Sequence, residues 1–64
     1  MKTDIPPLGA THWAPDTDEF NESWYKFDPD SNCWYHVCVD SYREFGSGWY
    51  GQGKRMLRDD LEVL

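Results

Sequence analysis

Five consecutive turn-forming residues, Asp28-Pro29-Asp30-Ser31-Asn32, separate two runs, SWYKF and CWYHVCV, that are dense in aromatic and β-branched side chains. Runs of this kind favour strands, and the residues between them favour tight turns, so the pair predicts an antiparallel β-hairpin with a four- or five-residue loop. Alternation then places Trp24 and Lys26 on one face of the first strand and Ser23, Tyr25 and Phe27 on the other. On the second strand Cys33, Tyr35, Val37 and Val39 oppose Trp34, His36 and Cys38. Neither face is cleanly polar. A sheet with rings on both sides must be covered on both, by the N-terminal arm, by a helix or by a second copy of the chain.

Material for that cover is scarce. The chain has 64 residues, enough for one domain. Its aliphatic residues are few (Ile5, Leu8, Val37, Val39, Leu57, Leu61, Val63 and Leu64), whereas 17% of the sequence is Phe, Trp or Tyr, so the core must be built from rings. A domain of about 60 residues buries only ~60% of its unfolded surface, and such cores rarely supply more than ~3–5 kcal/mol. A disulfide would help, but Cys33 and Cys38 are five apart on a strand, spanning ~16 Å with side chains on opposite faces, and a bridge needs Cα atoms within about 7 Å. Two reduced thiols in a reducing compartment are expected. A homodimer through an aromatic face is then the remaining supplement.

Residues 1–11, MKTDIPPLGAT, carry Pro6, Pro7 and Gly9 without helical or strand periodicity and read as an extended arm ahead of a single small domain over 12–64. Pro15-Asp16 favours a turn, with Thr17 or Asp18 placed to cap a short helical turn. Tyr42 to Phe45 reads as a third strand, stopped by Gly46-Ser47-Gly48, and Trp49-Tyr50 as a short fourth one before Gly51-Gln52-Gly53. In KRMLRDDLEVL, Met56 or Leu57, Leu61 and Leu64 recur at three- and four-residue intervals, the period of a C-terminal amphipathic helix. The expected fold is α+β or mostly β: a small antiparallel sheet of three to four strands with a C-terminal helix.

Residue types suited to catalysis or metal binding are present without the spacing either needs. His36 is near both cysteines, but no nucleophile elbow or oxyanion loop surrounds it, so the chain reads as a non-enzyme. Cys33, His36, Cys38 and His12 are zinc-ligand types, yet Cys33 faces away from the other two hairpin residues, so no metal or other cofactor is expected. Asp28, Asp30 and Asn32 match the opening of an EF-hand loop, but Cys33 stands where that loop needs Gly and Val39 where it needs a bidentate Glu.

Charge is more informative. Twelve Asp and Glu against six Lys and Arg give a net charge of −6, which argues against direct binding to nucleic acid or to an anionic membrane. No apolar run approaches the ~20 residues of a membrane span, and the start lacks a signal-peptide core, so a soluble intracellular protein is expected. The acids are concentrated: Asp16, Asp18, Glu19, Glu22, Asp28 and Asp30 face Lys26 alone. On an extended segment, acids two apart repeat every ~6.8 Å, about two base steps of a DNA strand, so a row of carboxylates can stand in for phosphates. Trp13, Phe20 and Trp24 lie beside them as rings of the kind that anchor interfaces. The expected partner-binding set is therefore Asp16, Asp18, Glu19, Glu22, Trp24, Asp28, Asp30 and Trp13.

From Pro7 to Lys26 the sequence reads PLGATHWAPDTDEFNESWYK, followed by a turn and Trp34-Tyr35. This pattern resembles small uncharacterised proteins of tailed bacteriophages: a Gly-Ala-Thr-His-aromatic start, an acidic Pro-Asp segment, then aromatic hairpin strands. Glu22-Ser23-Trp24 is also similar to the Glu-Ser-apolar strand start of phage inhibitors of uracil-DNA glycosylase. The resemblance implies expression in a host bacterial cytoplasm and an inhibitor that binds a host nucleic-acid-processing or defence protein through its basic groove, as a DNA mimic. The alternative is a non-inhibitory phage structural or accessory module that binds through its aromatic surface. WYKFDPDSNCWY and GWYGQGKRM are similar to choline-binding repeats, but those occur in tandem arrays and the chain holds one irregular copy.

Overall fold

The computed structural model describes residues 5–46, 48–56 and 58–64. Strands β1 (His12–Ala14), β2 (Ser23–Asp28) and β3 (Cys33–Cys38) are followed by helix α1 (Val39–Phe45) and strands β4 (Tyr50–Gly53) and β5 (Glu62–Val63). They form one antiparallel sheet in the order β4-β3-β2-β1-β5, so the described residues are mostly β with one short helix.

The hairpin forms as its sequence predicts. β2 and β3 pair from Ser23↔Cys38 to Asp28↔Cys33 around the 29–32 turn. The Asp28 carboxylate accepts the Asp30 N–H at 3.1 Å and the Ser31 hydroxyl at 3.0 Å, and Asn32 takes the left-handed φ of 57° that closes the loop. In this register Cys33 and Cys38 lie at opposite ends and on opposite faces of β3, and both are free thiols.

One face of the sheet carries the core. Trp24, Val37 and Val39 are almost wholly buried, with Trp13, Tyr42, Trp49 and Ala10 packed around them. Helix and arm cover this face: Tyr42 meets Trp24 edge to face at 5.5 Å, and Pro7 is buried. On the opposite face rings pack across strands, His12 against Trp34 at 5.3 Å, Phe27 against Trp34 at 5.0 Å and Tyr25 against His36 at 5.9 Å.

Three expectations are corrected. The sheet has five strands rather than three to four, because His12–Ala14 pairs with β2 and Glu62–Val63 with β1. Residues 42–45 belong to a helix rather than a strand: Val39 and Tyr42, three apart, both reach the core, and Gly46, at φ 74°, ends the helix by donating its N–H to the Tyr42 carbonyl at 2.7 Å. The C-terminal segment is not helical. Lys54 and Arg55 would sit at the positive end of such a helix and Asp59, Asp60 and Glu62 towards its negative end, the reverse of what the helix dipole favours. An isolated helix of this length is marginal in water, and pairing with β1 gives the backbone other partners. Leu57, part of the predicted apolar stripe, lies outside the described residues, as do positions 1–4 of the arm and Ser47.

Candidate functional site: the acidic end of the sheet

Strand β2 divides the predicted acidic row. Its six residues span about 17 Å, with Asp28 and Asp30 at the hairpin end and Glu22 and the 16–19 loop at the other. The carboxylates therefore do not form one extended line, and the expected regular spacing is replaced by two separate groups.

The larger group is built on a loop with its own local order. The Thr17 N–H donates to the Phe20 carbonyl at 2.8 Å, and the Thr17 hydroxyl accepts the N–H groups of Glu19 (3.3 Å) and Phe20 (3.1 Å). Thr17 thus caps a tight bend, with no helix following. Two depressions flank this loop. Asp16, Glu22 and Asp40 line one of about 250 Å³, together with Ser41 and Cys38. Glu19, Asp59 and Asp60 line another of about 460 Å³, beside Phe20 and Arg58. Asp18 is exposed on the loop itself.

Asp40, Asp59 and Asp60 were not in the predicted set. Asp40 was legible in the hairpin register: Ser23 faces Cys38, so the chain just beyond Cys38 returns beside Glu22, and the Val39 N–H does donate to the Glu22 carbonyl at 3.0 Å. Asp59 and Asp60 come from the segment misread as a helix. No local pattern announces that it folds back to the 15–21 loop.

The predicted rings behave differently from one another. Trp24 is 1% exposed and belongs to the core, so it is withdrawn from the partner-binding set. Its neighbours explain why: it sits on the central strand, facing Val37 and Trp13 across the two flanking strands. Trp13 is half-buried against that core and its indole N–H donates to the Glu22 carboxylate at 2.8 Å, joining two predicted site residues to each other. Phe20 is half-buried with the Arg58 guanidinium 4.9 Å from its ring centre.

Arg58 is the cation inside this acidic end. Its side chain is 1% exposed and makes a bidentate pair with Asp60 at 2.8 and 2.7 Å. The hydrogen bond from Arg58 holds the Asp60 carboxyl below the usual carboxylate range, and Asp60 in turn raises Arg58. Burial pushes the nearby Tyr25 hydroxyl up, opposed by Arg58. Lys26, the other interior cation, lies on the opposite face, 4.7 Å from the ring centre of Trp49 and 5.2 Å from that of Tyr35.

His36 and Cys38 share a face with His12 while Cys33 lies on the other, and among the described residues no three His, Cys, Asp or Glu side chains are grouped to hold a metal. No described helix is long and apolar enough to cross a membrane. Neither known protein families, nor curated proteins, nor solved structures yield a match to this chain.

Proposed function

We propose that this protein is a small acidic inhibitor, of the kind phages encode, whose acid-rich end docks into the basic groove of a host nucleic-acid-processing or defence protein in the bacterial cytoplasm. The observation that carries the reading is the convergence of Asp16, Glu22 and Asp40 around one depression and Glu19, Asp59 and Asp60 around its neighbour, beside a cation, Arg58, that is buried and paired. An end rich in carboxylates, where Asp40 is paired with Arg43 and Asp60 with Arg58, speeds encounter with a positive groove and disfavours nucleic acid itself. A uracil-DNA glycosylase is one partner of this description.

The test is capture from bacterial lysate on the immobilised protein, repeated with D16N/D18N/E19Q. Glu22 is left intact because Trp13 depends on it. The expected result is a protein that binds DNA or RNA, is released from the inhibitor by added nucleic acid and elutes as salt shortens the screening length from ~10 Å at 0.1 M to ~3 Å at 1 M. Equal capture by the neutralised variant, or a captured protein indifferent to nucleic acid, refutes the proposal.

A second reading is an accessory binding module that uses its aromatic face. It is favoured by the ring cluster of His12, Phe27 and Trp34, all half-buried, and by Tyr50, which is 59% exposed. A partner that W34A releases and D16N/D18N/E19Q retains supports this reading over the first.

A further inference from the structure

We propose that Arg58 is the positioning residue of the acidic loop: by holding the carbonyls on both sides of residues 16–20, its guanidinium fixes the carboxylates in the array that a basic partner meets. The inference rests on the reading of the acidic end as a docking surface and adds to it the residue that shapes that surface.

A loop carrying Asp16, Asp18 and Glu19 repels itself, and three like charges within four residues favour an open chain. Thr17 orders the middle of the loop but does not close its ends. Arg58 does. One terminal nitrogen donates to the Asn21 carbonyl at 3.1 Å and the other to the Pro15 carbonyl at 2.6 Å. The planar fork thus spans the two ends of the loop, with the Phe20 ring centre 4.9 Å from the guanidinium carbon between them. Asp60 takes the remaining edge in bidentate fashion, which sets the direction in which the fork points. Lysine has the charge but not the fork, and a single ammonium cannot hold the two carbonyls and the bidentate pair to Asp60 at once.

A buried ion pair can serve packing alone, so the test must separate positioning from stability and from charge. Removing Arg58 makes the protein more acidic. If attraction were governed by net charge, R58M would bind a basic probe more tightly; if Arg58 positions the loop, R58M binds more weakly despite the added negative charge. R58K keeps the charge and removes only the fork.

The experiment measures binding of a fluorescein-labelled oligoarginine peptide by anisotropy at low salt, under conditions where near-UV circular dichroism reports each variant folded. Hydrogen exchange is followed in parallel. R58K is expected to bind about three- to tenfold more weakly than wild type, the scale of lost preorganisation. Its amides at 16–21 should exchange faster while those of the β2–β3 hairpin keep their protection. Unchanged binding or unchanged loop exchange in R58K overturns the proposal, and R58K suffices should R58M not fold. The D16N/D18N/E19Q variant tests the underlying reading separately: if it binds the peptide as wild type does, the acidic end is not the docking surface, whatever R58K shows.

Discussion

Replacing His36 with phenylalanine should stabilise the protein. The His36 ring lies between Tyr25 and Tyr50, with centroids 5.9 and 6.0 Å away, in a stack that crosses three strands. Its Nδ1 is buried without a hydrogen-bond partner among the described residues. An unpaired buried polar atom costs about 1–3 kcal/mol, and phenylalanine removes the atom while keeping a ring in the stack. The Gln52 amide beside His36 keeps its bond to the Arg55 carbonyl at 3.2 Å. The net gain is about 1 kcal/mol, or about 4–8 °C in Tm for a domain of this size. Burial lowers the His36 pKa below its usual 6.5, opposed by Gln52, and among the described residues the carboxylate lining the same cavity is Glu19. The sign follows: between the lowered folded pKa and 6.5 the unfolded chain binds more protons than the folded one. His36 therefore leaves stability intact above pH 6.5 and reduces it as pH falls below, until the folded-state pKa is reached. Thermal melts of wild type and H36F from pH 8 to pH 5 should diverge as pH falls, with H36F the more stable throughout. A lower Tm for H36F at pH 8, or parallel curves across the range, would refute the argument that the orphaned nitrogen and its burial are what matter.

Three further perturbations address other parts of the fold. K26Q removes the ammonium from Trp49 and Tyr35 while keeping an unbranched stem; a loss of about 0.5–1 kcal/mol in urea unfolding is expected, with a shift in Trp emission. No change in either would show that the cation contributes nothing there. G46A places a side chain at φ 74° where no other atom lies within 4 Å, so the cost is backbone strain alone, about 1–2 kcal/mol, read as a lower denaturation midpoint. Mild oxidation of the folded protein should give no internal Cys33–Cys38 disulfide, and its appearance by mass spectrometry without loss of structure would contradict the hairpin register.

The sequence exposes what is local and hides what is long-range. The hairpin was legible because turn chemistry at 28–32 and alternation on both sides agree, and from it followed the faces of Trp24, Tyr25 and His36 and the separation of the cysteines. The C-terminal segment misled because three- and four-residue apolar spacing suits a helix while its charges oppose one; giving the reversed charges more weight would have favoured the extended form. Helix α1 was hidden for the opposite reason: seven residues give too little periodicity to separate from a strand, and Gly46 served equally well as a turn. Of the acidic site, the loop residues were visible as a charge cluster. Asp59 and Asp60 became part of it only through Arg58, whose contacts with Asn21 and Pro15 span 37 and 43 positions of sequence.

The same contacts explain how so acidic a chain folds without losing its charge pattern. Of the few cations, Arg58 is drawn beneath the 15–21 loop and Lys26 onto the rings of Trp49 and Tyr35, where each holds together segments distant in sequence. Lys54 and Arg55 follow strand β4 and are exposed. Arg43, exposed on helix α1, pairs with Asp40 at 3.4 Å, and Asp60 is paired with Arg58, while Asp16, Asp18 and Glu19 are segregated on the exposed loop. Such segregation costs stability through repulsion among the carboxylates, and a core as small as Trp24, Val37 and Val39 leaves little margin for it. A chain selected for stability alone would place exposed lysines among Asp16, Asp18 and Glu19. Packing does not require their absence there; the solubility of a small domain favours it, and so would the proposed positively charged partner.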